Sequence, residues 1–287
     1  MIAMVSEMID KVICDDCRSV LPRIEEESVD LVITSPPYGR YKKYSNLEQD
    51  LGNLDIVEQK PIFLEIFREV HRILKSGRKF VLFFSDIVYK ERDGCFLISP
   101  TYYLVPDILQ LGFRIKNIFI WRKMGSFSNM KPSKDMPPSP VIQSYFEYIF
   151  VFQKNGRADY SYVKEEDKKR SHIPMKYVTM QSGVFVFAND NNLKKVHPAV
   201  FPVELIKILV MLYSFVGDVV LDPFNGIGTV CEAAKSLNRH YIGIDINKKY
   251  CEIAEKRLKD VVSEVEDIQD WIRKMREMNA KLQGNLF

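Results

Sequence analysis

The sequence predicts an α/β fold built on a doubly wound, mostly parallel sheet. Three observations carry that expectation. DLVITS at 30–35 shares the mostly apolar run VDLVI at 29–33, as a strand buried on both faces of a parallel sheet should. Residues 29–86 read as strand, long loop, helix and strand, which is one βαβ unit. Residues 218–262 read as strand, helix, strand and a further helix, a second such unit. The chain has 287 residues, enough for one large domain or a smaller one with an insertion, and 46% of them are apolar, enough for a substantial core.

Each element follows in order. KVICDD is a short first strand and DLVITS the second. Phe63, Ile66, Phe67, Val70, Ile73 and Leu74 recur at helical spacing, and KSG after them reads as a helix stop. RKFVLFFSD is the next strand, and YYLVPDILQLGF a helix. RIKNIFIWRK and SYFEYIFVFQK are aromatic-rich strands that need not run parallel to the rest, with Phe119 and Trp121 read as core residues. Residues 154–196 look irregular, and a connection of that length in a compact protein is usually functional or mobile. HPAVFPVELIKILVMLYSF is a buried helix, followed by DVVLD (strand), GTVCEAAKSL (helix), HYIGIDI (strand) and KKYCEIAEKRLKDVV (helix). Residues 263–283 are expected to form a polar helix with Ile268, Trp271, Ile272 and Met275 as a sparse apolar stripe.

Composition narrows the class. No run approaches about 18 uninterrupted apolar residues, so no membrane span is expected. The opening MIAMVSEMIDKV lacks the pattern of a signal peptide, and a cytoplasmic location is the expectation. The odd count of five cysteines suggests reduced thiols. Cys14 and Cys17 form one C-x-x-C pair, too few ligands for a structural zinc, so a strand end with two half-buried thiols is preferred to a metal or redox site. The net charge of +3 decides little, but residues 114–134 carry Arg114, Lys116, Arg122, Lys123, Lys131 and Lys134 and no acid. A one-sign stretch with interleaved aromatics suits a phosphate backbone, and equally a basic surface strand.

Two strand ends are unusual. VVLDPFNGIGTV places Asp222 at a strand's end and Gly226 and Gly228 in the turn before a helix. Glycines there permit positive φ and close approach to a ligand, and the helix start offers free N–H groups. This is neither the dinucleotide G-x-G-x-x-G, because Cys231 holds the third glycine position, nor a P-loop. Asp245 ends the next strand, where a carboxylate can accept ribose hydroxyls. The pocket is therefore expected to hold a nucleoside without pyrophosphate. S-adenosylmethionine fits, with Asp222 facing its ammonium group or a water bound to it. The second strand end is TSPPYG at 34–39, with two consecutive prolines where a turn needs one at most. Open α/β sheets bind ligands beyond the carboxyl ends of their strands.

DLVITSPPYG, LDPFNGIGT and YIGIDI together resemble the amino-methyltransferases that act on exocyclic amines of DNA bases, and within them the permuted β class, whose catalytic motif precedes the cofactor motif. FLEIFREVHRILKSG, FEYIFVFQK and HPAVFP extend the resemblance over most of the chain. It implies a Rossmann-like methyltransferase fold with permuted motif order, and S-adenosylmethionine as cofactor. It implies catalytic roles for Ser35, Pro36, Pro37 and Tyr38: the Ser35 hydroxyl and Pro36 carbonyl accept the two N–H groups of the target amine, and Tyr38 stacks on the flipped base. It places Asp16 (with Asp15 as the competing choice), Thr34, His197, Phe201, Asp222, Pro223, Phe224, Asn225, Gly226, Gly228, Thr229, Asp245 and Ile246 around the cofactor, although His197 could equally be structural. Arg122, Lys123, Lys131 and Lys134 are the candidate DNA contacts.

A serine as the first motif residue points to cytosine N4 in relatives, and Asp or Asn to adenine N6. The expectation is therefore a site-specific cytosine-N4 methyltransferase acting on double-stranded DNA, with adenine N6 as the alternative. A protein-glutamine methyltransferase, disfavoured by motif order, and a non-catalytic DNA-binding module are the remoter rivals. Cytosine C5 chemistry needs a Pro-Cys nucleophile, and no cysteine here follows a proline. A cognate restriction endonuclease and a homodimer are partners that the resemblance allows. Residues 1–121, 141–154 and 196–262 are assigned to the catalytic and cofactor-binding core, 122–140 and 155–195 to variable DNA-recognition segments, and 263–287 to a C-terminal helix.

Overall fold

A computed structural model of the protein describes residues 5–39, 45, 47–92, 94–124, 146–173, 183–188, 196–197, 200–263 and 273. Among these, eight strands form one sheet. They are β1 (Lys11–Cys14), β2 (Val29–Thr34), β3 (Leu74–Phe84), β6 (Phe113–Met124), β7 (Phe146–Lys154), β8 (Val184–Ala188), β9 (Val219–Asp222) and β10 (His240–Asp245). β4 (Ile87–Glu91) and β5 (Gly94–Ile98) make a separate hairpin. The helices are α1 (Cys17–Val20), α2 (Ile56–Ile73), α3 (Pro100–Tyr103), α4 (Val105–Gln110), α5 (Glu165–Arg170), α6 (Val203–Tyr213), α7 (Thr229–Ser236) and α8 (Lys248–Lys259).

The sheet order is β1-β10-β9-β2-β3-β7-β6-β8. Every neighbouring pair is parallel except the two that β7 makes. The expected doubly wound, mostly parallel sheet is what forms. Alternation along the strands divides the core. Val32, Phe80, Leu82, Leu221 and Ile242 pack on one face with Phe63, Phe67 and Val70 of α2. Leu31, Ile33, Val81, Phe83 and Val220 pack on the other with Leu205 and Leu209 of α6 and Val230 and Ala233 of α7. Each of these Val, Leu, Ile and Phe side chains contributes about 1.5–3 kcal/mol on full burial.

The two βαβ units wind in opposite directions. From β2 the chain crosses one face through α2 to β3, and from β9 it crosses the other through α7 to β10. β2 and β9 are sheet neighbours, so their carboxyl ends flank the point where the winding reverses.

At the opposite end of the strands, Asp30 Oδ1 accepts from Lys75 Nζ at 2.8 Å, Arg78 Nη2 at 3.0 Å and Tyr162 OH at 2.6 Å. Arg78 Nη1 also pairs with Asp218 Oδ2 at 3.1 Å. This cluster, buried at Asp30, Arg78 and Asp218, ties the segment that follows β7 to β2, β3 and β9 through the exposed Tyr162.

Several expectations needed correction. The helix stops where KSG follows it, at Ile73, but β3 already begins at Leu74, so KSG lies inside the strand. Gly77 has φ +72, and a Cβ there would lie 2.5 Å from Ala158 N, so the glycine serves an irregularity in β3 packed against the chain that follows β7. The helix expected over 102–113 is two short helices, α3 and α4. Pro106 has no N–H with which to continue a helix from Tyr102. The β4–β5 hairpin was not anticipated, although Asp-Gly at 93–94 is a hairpin signal. Residues 154–196 are less irregular than expected, since they contain α5 and β8, the latter parallel to β6 at the sheet edge. Trp121, 2% exposed and packed on Phe83, is a core residue as expected. The expected helix over 263–283 lies almost wholly outside the described residues. Among the described residues no helix is long and apolar enough to cross a membrane.

Candidate active site

The site is built on the ends of β2 and β9. Thr34, fully buried at the end of β2, donates from Oγ1 to Asp222 Oδ1 at 2.6 Å. The same oxygen of Asp222 accepts the Phe224 N–H at 3.0 Å, which starts the turn toward α7. Two more backbone bonds shape that turn. Asn225 N–H donates to Ile244 O at 2.9 Å, and Gly226 N–H donates to Asp245 Oδ2 at 2.7 Å. The glycines are required here. Gly226 has φ +52 with His197 Nε2 3.1 Å from where a Cβ would sit, and Gly228 has φ +84 with Ala254 Cβ at 2.8 Å.

A cavity of about 920 Å³, counting its open mouth, lies over this turn. Of the residues expected at the cofactor, Asp16, His197, Phe201, Asp222, Pro223, Phe224, Asn225, Gly226, Thr229, Asp245 and Ile246 line it. Thr34 and Gly228 stand behind the wall, the first holding Asp222 and the second starting α7. Asp16 rather than Asp15 borders the space, although its carboxylate also caps α1 and pairs with Arg18. His197 packs edge-on against Tyr250, with ring centroids 4.6 Å apart, and Phe201 packs on Phe83 at 4.4 Å.

Sequence reasoning missed Cys17, Ser45, Gln49, Asp50, Leu51, Val200, Ile227, Asn247 and Tyr250, which also line the cavity. Asp50 is buried, bound to Ser45 Oγ at 2.5 Å and Gly52 N at 2.8 Å. No periodicity marks residues 45–51, and their place is set by the fold. Asn247 was findable, because an Asn one residue before the apolar rhythm of α8 is a cap signal, and its Oδ1 accepts from Lys249 N. Burial pushes the Cys17 thiol well up, which disfavours the nucleophilic thiolate.

The carboxylates of Asp222 and Asp245 both line this cavity. Burial pushes Asp222 up to about 7, against the pull of Thr34 and Phe224. Burial likewise pushes Asp245 up to about 6, although Asn247 N–H and Gly226 N–H both donate to it. Among the described residues, neither carboxylate has a basic side chain as a hydrogen-bond partner. Asn225 Nδ2 is a buried donor without a partner among the described residues, in the same wall. Carboxylates with spare acceptor capacity, aromatic walls and a glycine turn suit a cationic nucleoside.

The proline motif forms one rim. Ser35 and Pro37 line the cavity, whereas Pro36 and Tyr38 are buried beside it. Tyr38 is 4% exposed and meets Phe84 edge-on at 5.1 Å, so it offers no open ring face here. Its hydroxyl accepts from Ser35 Oγ at 3.1 Å and donates to Glu147 Oε2 at 3.3 Å. Lys123, expected at DNA, pairs with Glu147 Oε1, while Arg122 is exposed. Lys131 and Lys134 lie outside the described residues.

Comparison with known proteins gives the family and the fold. A family model described as DNA methylase, the N6- and N4-methyltransferases, matches residues 29–256. The type II methyltransferase M.HpaI of Haemophilus parainfluenzae is 30% identical over 258 residues, covering 88% of this chain and 74% of that one. M.MthZI of Methanothermobacter thermautotrophicus, also a type II methyltransferase, is 26% identical over 90% of this chain and 80% of its own. Among solved structures, TTHA0409 of Thermus thermophilus, a candidate DNA modification methylase complexed with S-adenosyl-L-methionine, superposes with a TM-score of 0.70 at 27% identity. That match covers 89% of this chain and 95% of that one. The cytosine-N4-specific PvuII DNA methyltransferase shares the fold, with a TM-score of 0.60 at 22% identity over 92% of this chain and 89% of its own.

Proposed function

Because this chain belongs to the DNA methylase family of N6- and N4-methyltransferases, we propose that it methylates the exocyclic N4 amine of cytosine at specific sites in double-stranded DNA. It is a DNA methyltransferase whose cofactor is S-adenosylmethionine. The observation that carries the reading is the bond from Thr34 to Asp222, which sets the Ser-Pro-Pro-Tyr motif on the rim of the cavity walled by the glycine turn.

When bound, S-adenosylmethionine supplies an electrophilic methyl group on a sulfonium. The chain's residues do the rest. Asp245 and Asp16 accept from the nucleoside, and Asp222 faces the ammonium end. An exocyclic amine is a weak nucleophile because its lone pair is delocalised into the ring. Acceptors on its N–H groups favour the pyramidal nitrogen that attacks. Ser35 Oγ and the Pro36 carbonyl are those acceptors in this reading, and the proline rings hold the carbonyl with no competing N–H. The base must leave the duplex to reach them. Arg122 contacts the DNA backbone, and the segments 122–140 and 155–195 carry sequence recognition.

Cytosine is preferred because the first motif residue is Ser35. The test is to incubate the protein with mixed-sequence duplex DNA and methyl-labelled cofactor, hydrolyse to nucleosides and separate them. Label in N4-methyl-2′-deoxycytidine supports the proposal. Label in N6-methyl-2′-deoxyadenosine replaces the base assignment, and no label in any base overturns the reading. A cognate restriction endonuclease and a homodimer belong to the same proposal. Co-purification and sedimentation of the purified protein test them.

A further inference from the structure

Glu147 has no assigned role. It lies on β7, 4% exposed, with its carboxylate in the sheet beside the proline motif. Its two oxygens face different partners: Oε1 takes the Lys123 ammonium, and Oε2 accepts the Tyr38 hydroxyl at 3.3 Å. Tyr38 in turn accepts from Ser35 Oγ at 3.1 Å. These distances are long for O–H···O bonds, as catalytic hydrogen bonds often are before substrate arrives.

A serine hydroxyl has one hydrogen and two lone pairs, and it rotates to suit its neighbours. As an acceptor for the target amine, Ser35 must keep its hydrogen away from that amine. An ionised carboxylate only accepts. Glu147 therefore makes Tyr38 point its hydrogen toward β7, which leaves the phenol oxygen as the acceptor for the Ser35 hydrogen. The lone pairs of Ser35 are then the part of the hydroxyl left for the amine. Resting on the amine-methyltransferase reading above, we infer that Glu147, held by Lys123, is a positioning residue that sets the hydrogen-bond polarity of Ser35 through Tyr38.

Glu147→Gln tests the polarity at nearly constant shape. An amide has one acceptor oxygen and one donor nitrogen. Lys123 draws the oxygen, so the amide nitrogen faces Tyr38 and donates to it. Tyr38 then turns its hydrogen to Ser35, and Ser35 turns its own to the amine. The expected result is a fall in kcat on the order of tenfold to a hundredfold, with KM for DNA and calorimetric cofactor affinity nearly unchanged. Adding Lys123→Met removes the charge that orients the amide, so the double variant should recover much of the lost kcat. Unchanged kcat in Glu147→Gln, or a double variant no better than the single, overturns the inference.

A second arm needs no DNA. In protein labelled isotopically at tyrosine Cζ, the Tyr38 resonance is identified by its loss in Tyr38→Phe. It should move in Glu147→Gln, as a phenol that no longer donates to a carboxylate must, and return toward its original position in the double variant. A resonance that stays put overturns the relay whatever the methyl-transfer assay shows. A wild-type protein that methylates no base, yet shows the shift and its return, sinks the functional reading and leaves the relay standing.

Discussion

Thr34 Oγ1 and Asp222 Oδ1, separated by 188 positions of sequence, lie 2.6 Å apart at the ends of two adjacent buried strands. That bond joins the proline motif to the cofactor turn, and Asp222 receives it in a setting that resists its charge. Burial pushes Asp222 up to about 7. The folded value lies above the ~3.9 of an unfolded aspartate, so the folded protein holds a proton that the unfolded chain releases. The contribution is fully present below about pH 4 and lost as pH rises through the folded value. Asp222→Asn keeps an acceptor for Thr34 but cannot ionise. Its melting temperature relative to wild type should therefore rise from about pH 5 to about pH 8. A constant difference would count against the assignment. Because a cation prefers the ionised carboxylate, cofactor affinity should also weaken as pH falls below about 7, and Asp222→Asn should flatten that dependence.

The glycine turn is held from below by close packing. A Cβ on Gly243 would lie 2.6 Å from Asn225 Cγ and 2.7 Å from Cys231 Sγ. Gly243→Ala should cost about 1–3 kcal/mol of stability as an overpacked site. It should also weaken cofactor binding through displacement of Asn225. Calorimetry giving wild-type affinity would show that Asn225 matters little to the cavity.

Tyr38→Ala separates core from site poorly. The ring is buried against Phe84, so truncation should cost about 3–5 kcal/mol in urea unfolding, in addition to lost turnover. A variant as stable as wild type would mean that the ring leaves the core in solution.

At the far end of the sheet, Arg78 bridges Asp30 and Asp218, all three of them buried. Arg78→Met leaves buried Asp218 without its cationic partner and Asp30 with Lys75 alone, and should cost about 3–5 kcal/mol. The folded fraction should keep its cofactor affinity, because the cavity lies at the opposite strand ends. Lost affinity without lost stability would contradict this.

Arg122 is exposed on β6, unlike its neighbour Lys123. Arg122→Ala should weaken binding to all duplexes alike and lower the salt slope of log K by about 1. An unaltered slope would remove Arg122 from the interface.

Much of this protein is local and therefore legible in its residues. The buried runs of β2 and β9, the apolar rhythm of α2 and the glycine turn before α7 depend on neighbours a few positions away. Periodicity and backbone sterics set them before any tertiary contact forms. The parallel sheet and the ordered motifs follow from those patterns, and with them the family and its cofactor. Other features depend on pairs far apart in the chain. Asp50 enters the cavity from a loop with no pattern of its own. β8 completes the sheet edge by pairing with β6 at Phe185 and Trp121, and no short window contains both partners. Lys123 reads as a free cation in a basic stretch until β7 brings Glu147 beside it. Tyr38 reads as an open aromatic face until β3 brings Phe84 against it. The residues alone specify which chemical groups stand at the ends of which strands. Which of those groups meet is settled only in the folded chain, because the order of strands in a sheet is set by how two helical layers bury its faces, and that is a property of the whole molecule.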